Sequence, residues 1–228
     1  MRSRSRLEGF TFVELMVSLA ILTLIATATV FGLQTTRSKD ELNTAARVIA
    51  SDVKNLQARA LAGRDVLQCA DAAGDTQVCG SDAYTTPLTC VTPCEPAPPS
   101  RYCMRMLPAA DFYQIYADIR GDDWRLTNER ELINRRSITM SGGGSVGGGS
   151  NVVVITVAWP GAPATPNTAD ICVQRQSGVM RINACGDPGL PACSPTEPTS
   201  MWVWLRHNKT NETKRIDVNA VTGRVSIE

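Results

Sequence analysis

Apolar side chains follow three regimes along this 228-residue chain. Residues 10–33, FTFVELMVSLAILTLIATATVFGL, are apolar on every face and carry one charge, Glu14. As a helix this run reaches about 36 Å, enough to cross a bilayer. From residue 42 the apolar positions recur at steps of three and four. Leu42, Ala45, Ile49, Val53, Leu56 and Ala60 form one stripe, and Arg47, Asp52, Lys54 and Arg59 are assigned to other faces. No proline occurs before Pro87 and Gly63 offers a stop, so one helix from Phe10 to about Ala62 is expected, roughly 80 Å long.

After Gly63 the helical period disappears. Residues 64–100 are rich in Cys, Pro, Thr, Asp and Ala, which reads as long loops holding short strands. Alternation then predicts strands over Arg101–Leu107, Phe112–Ile119, Glu131–Met140, Val152–Trp159, Ile171–Arg175, Val179–Ile182, Met201–Arg206, Thr213–Val218 and Arg224–Ile227. Ser177-Gly178, Asn208–Asn211 and the region of Gly223 read as turns. Ser141–Ser150, SGGGSVGGGS, is a flexible loop without the lysine of a phosphate-cradling loop, and Gly186–Thr199 is Pro-rich. The fold class is therefore α+β: a long amino-terminal helix packed on a carboxyl-terminal antiparallel β domain. The expected organisation is a leader over 1–9, the helix over 10–62 with 10–33 in the membrane, and a β-rich domain over 63–228. Loops are expected at 86–100, 141–150 and 186–199.

Charge and cysteine usage narrow the setting. Net charge is +1, which gives no field to gather nucleic acid or acidic substrates. Arg2, Arg4 and Arg6 crowd the start and should stay cytoplasmic, leaving everything after the apolar run outside. The eight cysteines, Cys69, Cys79, Cys90, Cys94, Cys103, Cys172, Cys185 and Cys193, all follow residue 68. An even set in one region reads as a disulfide framework in an oxidising compartment, with 105 pairings open. There is no C-x-x-C and His207 is the one histidine, which argues against a zinc site. Gly121-Asp122-Asp123 could hold calcium but reads as an acidic turn. No cofactor and no metal are expected.

Glu14 is the conspicuous residue, because a carboxylate in an apolar span is costly unless it finds a partner, a proton or the interface. Gly9-Phe10-Thr11-Phe12-Val13-Glu14-Leu15, behind a short basic leader, resembles the type IV prepilin signature. The resemblance implies that a prepilin peptidase cuts between Gly9 and Phe10 and that the new Phe10 amine is N-methylated. It also implies that Glu14, fifth in the mature chain, pairs with a Phe10 amine of a neighbouring subunit or its own. Many pilins carry a proline midway along this segment; here Gly32 stands in that region. A competing cleavage after Ala26-Thr27-Ala28 would fit an ordinary secretory signal and release a disulfide-rich β protein. Against it, Glu14 would interrupt the signal's apolar core and the run continues through Val30, Phe31 and Leu33.

A second resemblance lies downstream. Tyr116-Ala117-Asp118-Ile119 with Gly121-Asp122 and Glu131-Leu132-Ile133, and Arg215-Ile216-Asp217-Val218 with Thr222-Gly223-Arg224-Val225, are similar to minor pseudopilins of the GspH/FimT type. That implies two small antiparallel sheets and a structural role as a minor subunit at or near a filament tip. The implied partners are other pilin subunits, the prepilin peptidase and an inner-membrane assembly platform. The implied location is the bacterial inner membrane, single-pass with a periplasmic domain, and then a type IV pilus or type II secretion pseudopilus. A second function is DNA capture. Arg206, Lys209, Lys214, Arg215 and Arg224 lie near Trp202 and Trp204, where basic groups could hold phosphates and indoles could stack bases. Some relatives that bind DNA end in Gly-Arg-x-Arg, whereas this chain has Gly223-Arg224-Val225-Ser226. Enzymatic action is not expected: His207 sits in a polar turn, reads as a surface residue, and has no nucleophile or acid grouped with it in sequence.

Overall fold

The computed structural model describes residues 11–79, 90–119, 132–138, 151–161, 168–185 and 198–228. Gly9, Phe10, the Gly121–Asp123 turn, the glycine-rich loop 141–150, Cys193 and most of 186–199 lie outside those residues. The chain divides into two units, Met1–Asp40 and Glu41–Glu228. One helix, α1 (Phe12–Leu61), crosses the division without a break and runs through Gly32.

In the first unit α1 offers apolar side chains in all directions. Phe12, Val13, Leu15, Met16, Val17, Leu19, Ile21, Leu22, Leu24 and Ile25 are all more than half exposed. A helix apolar all round is matched to lipid or to other apolar helices rather than to water. Phe12–Thr29 is long and apolar enough to cross a membrane. Its hydroxyls are turned inward along the helix. Ser18 bonds the Glu14 carbonyl at 2.7 Å, and Thr23, Thr27 and Thr29 bond carbonyls three and four residues back at 2.8–3.1 Å. Each donor is thereby satisfied without water, as hydrocarbon requires.

The second unit is an α+β fold. Its strands are β1 (Val66–Ala70), β2 (Thr76–Val78), β3 (Glu95–Ala97), β4 (Arg101–Met106), β5 (Phe112–Asp118) and β6 (Leu132–Ser137). They continue as β7 (Val152–Ala158), β8 (Thr168–Gln174), β9 (Met180–Cys185), β10 (Ser200–His207), β11 (Thr213–Asn219) and β12 (Arg224–Ile227). All pairings are antiparallel, in a five-stranded sheet β6-β5-β4-β8-β9, a four-stranded sheet β12-β11-β10-β7 and a small sheet β2-β1-β3. The two larger sheets match the expectation. Short strands are expected in the cysteine-rich stretch, and they pair as a third sheet that was not expected.

Leu42, Ala45, Ile49, Val53, Leu56 and Ala60 are all buried and join one core with both larger sheets. Tyr102, Met104 and Met106 of β4 and Ala169, Ile171 and Val173 of β8 point into it, alternating with residues of the opposite face. That opposite face is also ordered by cross-strand neighbours. Cys103 stands opposite Cys172 and is disulfide-bonded to it, and Arg105 opposite Asp170 makes a bidentate pair at 2.8 Å. Tyr116, Cys103, Cys172 and Leu132 form a second small buried cluster there.

Asp52 departs from its expected polar face. It is 4% exposed and accepts bonds from the Tyr113 hydroxyl of β5 and from Arg136 Nη1 of β6, the latter at 2.9 Å to each oxygen. Asp52 lies seven residues after Ala45, two helical turns on, so it faces the sheet and not the solvent. Burial, with the Asp52 carboxylate beside it, pushes the Tyr113 hydroxyl far above the ordinary tyrosine range. Burial also raises Tyr102, whose hydroxyl bonds the Arg64 carbonyl past the helix end.

His207 likewise departs from expectation, being 4% exposed. The Thr210 backbone N–H donates to its Nδ1 at 3.3 Å, so the neutral ring carries its proton on Nε2. Nε2 lies 3.1 Å from Glu41 of α1, which also accepts from Asn151. Two hairpin turns close on the other end of α1. Gly178 and Gly223 both have φ of +66°, and a Cβ on either would approach Leu61 or Gln57 to 2.6 Å. Arg175, in the β8–β9 turn, donates to the Gly63 carbonyl at 2.8 Å, and the Gln176 N–H donates to the Ala60 carbonyl at 2.9 Å. The Ala60 carbonyl, in the last helical turn, also accepts from the Gly63 N–H at 3.1 Å, and the Arg175 bond ties down the residue just past the helix end.

Gly178→Ala is expected to lower stability by about 1–2 kcal/mol, mostly from the left-handed backbone, since the exposed Leu61 can rotate away. Urea unfolding of the purified protein measures it. Above a pH of about 10 the unfolded chain loses tyrosine protons that the native fold retains, so stability falls as pH rises. Tyr113→Phe is expected to flatten that alkaline fall while costing about 1 kcal/mol near neutrality for the lost bond to Asp52.

Candidate assembly site at the amino terminus

The helix opens on Thr11, and its first turn contains Glu14. The Thr11 N–H and hydroxyl both donate to Glu14 Oε2, at 3.2 and 3.1 Å, while the Glu14 N–H donates to Thr11 Oγ1 at 3.4 Å. This is a reciprocal capping box, in which residue N3 reaches back to the N-cap. It satisfies two donors that every helix start leaves open. Thr-x-x-Glu was present in the sequence as its signal. The box holds the carboxylate at the helix mouth, where the positive end of the helix dipole favours negative charge. Neither feature removes the net charge, so lipid around this turn still demands an opposite charge or a proton.

By register Arg206, Arg215 and Arg224 share the outer face of β10–β12 with Trp202 and Trp204, strung out along it. Arg206 is exposed at one end of β10, opposite Thr213, and Arg224 is exposed opposite Asn219. Six residues of β11 separate those two positions, about 20 Å along the strand. Arg215 shares the outer face with the half-buried Trp202 and Trp204 and sits 5.7 Å over the Trp204 ring. Its charge is already engaged by Asp217 and Glu228. The 2.9 Å approach of Nε to Asp217 is Coulombic and is not angled as a hydrogen bond. Lys214 alternates to the opposite face from Arg215, and Lys209 lies in the exposed turn after β10.

Among the described residues three pairs of cysteines are joined: Cys69–Cys90, Cys79–Cys94 and Cys103–Cys172. Cys185 ends β9, and its side chain, like Cys193, lies outside the description.

An all-round apolar helix, opened by a capping box and bearing one acid in its first turn, is the setting in which the family match falls. Residues 4–30 match the family model described as the prokaryotic N-terminal methylation motif. The motif implies processing by a prepilin peptidase and assembly with other pilins. Comparison with curated proteins and with solved structures gave no match.

With Arg215 engaged and its neighbours dispersed, no salt-sensitive mobility shift of single-stranded DNA is expected from the purified protein. A shift lost in Lys214→Ala or Arg215→Ala would contradict that expectation.

Proposed function

We propose that this chain is a minor pilin or pseudopilin. It is cut between Gly9 and Phe10, methylated on Phe10, and built at or near the tip of a type IV pilus or type II secretion pseudopilus, where it primes assembly. The observation that carries the reading is Glu14, held by Thr11 at the mouth of an apolar helix inside the methylation motif. The subtype rests on the GspH/FimT-like residues of β5, β6, β11 and β12.

The reading has a direct physical basis. A carboxylate and an ammonium in lipid are each costly alone, and each relieves the other when paired. A subunit that places Glu14 beside the Phe10 amine of a neighbour gains by docking, and the apolar surface of Phe12–Thr29 gains contact at the same time. The capping box fixes the carboxylate's position before docking, so less rotamer freedom is lost on pairing. The β-rich unit then lies on the side of the membrane opposite Arg2, Arg4 and Arg6.

Charge and capping can be separated because glutamine serves at N3 of a capping box as glutamate does. Glu14→Gln should insert into the membrane normally but enter filaments about tenfold less or worse, since leaving one buried charge unpaired costs about 3–5 kcal/mol. Thr11→Ala, which weakens only the cap, should retain incorporation. Immunoblots of sheared filaments against membranes read both. Normal incorporation of Glu14→Gln would remove the pairing role.

A further inference from the structure

Cys69, Cys79, Cys90 and Cys94 form two disulfides whose sulfurs lie together. All four Sγ atoms are within 4.8 Å of one another, and Cys79 Sγ is 4.0 Å from Cys90 Sγ across the two bonds. A tetrahedral zinc ion with Zn–S bonds of about 2.3 Å requires sulfur separations of about 3.8 Å. Two of the six separations are S–S bonds and the rest lie within 4.8 Å, so once the bonds are cleaved the sulfurs are within side-chain reach of that spacing. We propose that these four sulfurs, once reduced, form a thiolate site for one zinc ion. The small sheet is then held either by two disulfides or by one metal.

Three observations favour a site over accidental crowding. The first is that hydrogen bonds independent of sulfur chemistry hold the cysteine backbones. Cys69 is in the β1–β2 ladder opposite Gln77, and the Cys79 N–H donates to the Leu67 carbonyl at 2.8 Å. Next to Cys90, the Val91 N–H donates to the Ala70 carbonyl at 2.9 Å, and Thr92 Oγ1 accepts from the Ala70 N–H at 2.7 Å. Cys94 immediately precedes β3, whose Glu95 pairs with Gln68. Cleaving the disulfides therefore leaves the four positions tied to one sheet.

The second observation is Gln77. It is fully buried, and its Nε2 lies 3.5 Å from both Cys69 Sγ and Cys90 Sγ. A buried N–H donor beside two sulfurs is the kind of outer partner that steadies thiolate charge around a metal. The third is access. Cys69 is buried, whereas Cys90 and Cys94 are exposed, so an ion or a reductant can reach the cluster from solvent. Cys90 and Cys94, with three residues between them, also fit the close-pair spacing of structural zinc ligands. The other two ligands come from β1 and the end of β2, so the absent C-x-x-C pair is replaced by strand pairing.

The chemistry balances with a named reductant. Each disulfide takes two electrons and two protons from a dithiol or a phosphine, the dithiol closing to a disulfide or the phosphine becoming its oxide with water. The four thiols then bind one Zn²⁺ and release their four protons to solvent. Four thiolates suit zinc through soft ligands and tetrahedral geometry. Two equivalents of a small-molecule disulfide reverse this: each accepts two electrons and leaves as two thiols, the two S–S bonds re-form and the zinc ion is released, so metal binding and disulfide formation exclude one another.

The test uses the full chain in detergent with Cys185→Ser and Cys193→Ser, reduced anaerobically by a phosphine and titrated with Co²⁺ as the spectroscopic probe. One equivalent should give the absorption bands of tetrahedral cobalt thiolate, and Zn²⁺ should abolish them. Cys94→Ser should alter the bands and weaken binding, and Gln77→Leu should weaken it about tenfold with the bands unchanged. The oxidised protein should bind none. Absence of the bands, bands indifferent to Cys94→Ser, or equal binding by the oxidised protein would overturn the proposal. So would a reduced chain whose β circular-dichroism signal is lost and not restored by Zn²⁺.

Discussion

A helix whose first half is apolar on every face must keep that surface out of water. Ten large side chains from Phe12 to Ile25 are more than half exposed, so an apolar medium has to cover them. The same requirement makes Glu14 consequential, because anything that shields its neighbours also strips its water. Thr11 supplies local hydrogen bonds to the carboxylate but no charge. The threonines further along lock their hydroxyls onto backbone carbonyls, which leaves Glu14 as the polar group in this span with an unmet electrostatic demand. On the proposed reading a neighbouring subunit's amine meets that demand, which would link the sequence of one helical turn to assembly.

Beyond Glu41 the helix solves a different problem. Its stripe closes the core of two antiparallel sheets, and the contacts at its flanks are polar and specific. Glu41 holds His207, Asp52 gathers Tyr113 and Arg136, and the turns at Gly178 and Gly223 come against Leu61 and Gln57. Apolar burial supplies most of the attraction, while buried polar groups fix orientation because an unsatisfied partner is costly. The sheets thus grip the helix at both ends of its core-facing length, and a shift along its axis would break bonds at each.

Much of this was legible beforehand. The helix ends, the apolar stripe and the strands from Arg101 onward follow from spacing alone, because long periodic segments obey one face of one core. Asp52 was misassigned because its charge was weighed above its position, although its interval from Ala45 already placed it inward. His207 was hidden for another reason: its partner Glu41 lies 166 residues away, and no local pattern encodes that contact. Short strands were expected among the loops of 64–100, but their pairing into the β2-β1-β3 sheet was not legible, because strands of three to five residues carry too little alternation to fix partners. At the candidate site Glu14 stood out by cost alone, while its cap with Thr11 was written in the sequence and passed over in favour of the charge.

The requirement for lipid cover holds only if the apolar helix stays attached to the β-rich unit. Mass spectrometry of the native protein extracted from membranes measures this most directly. A chain that begins at an N-methylated Phe10 and retains the whole apolar run is the expected result. A chain that begins after Ala28, free of the membrane, would contradict it.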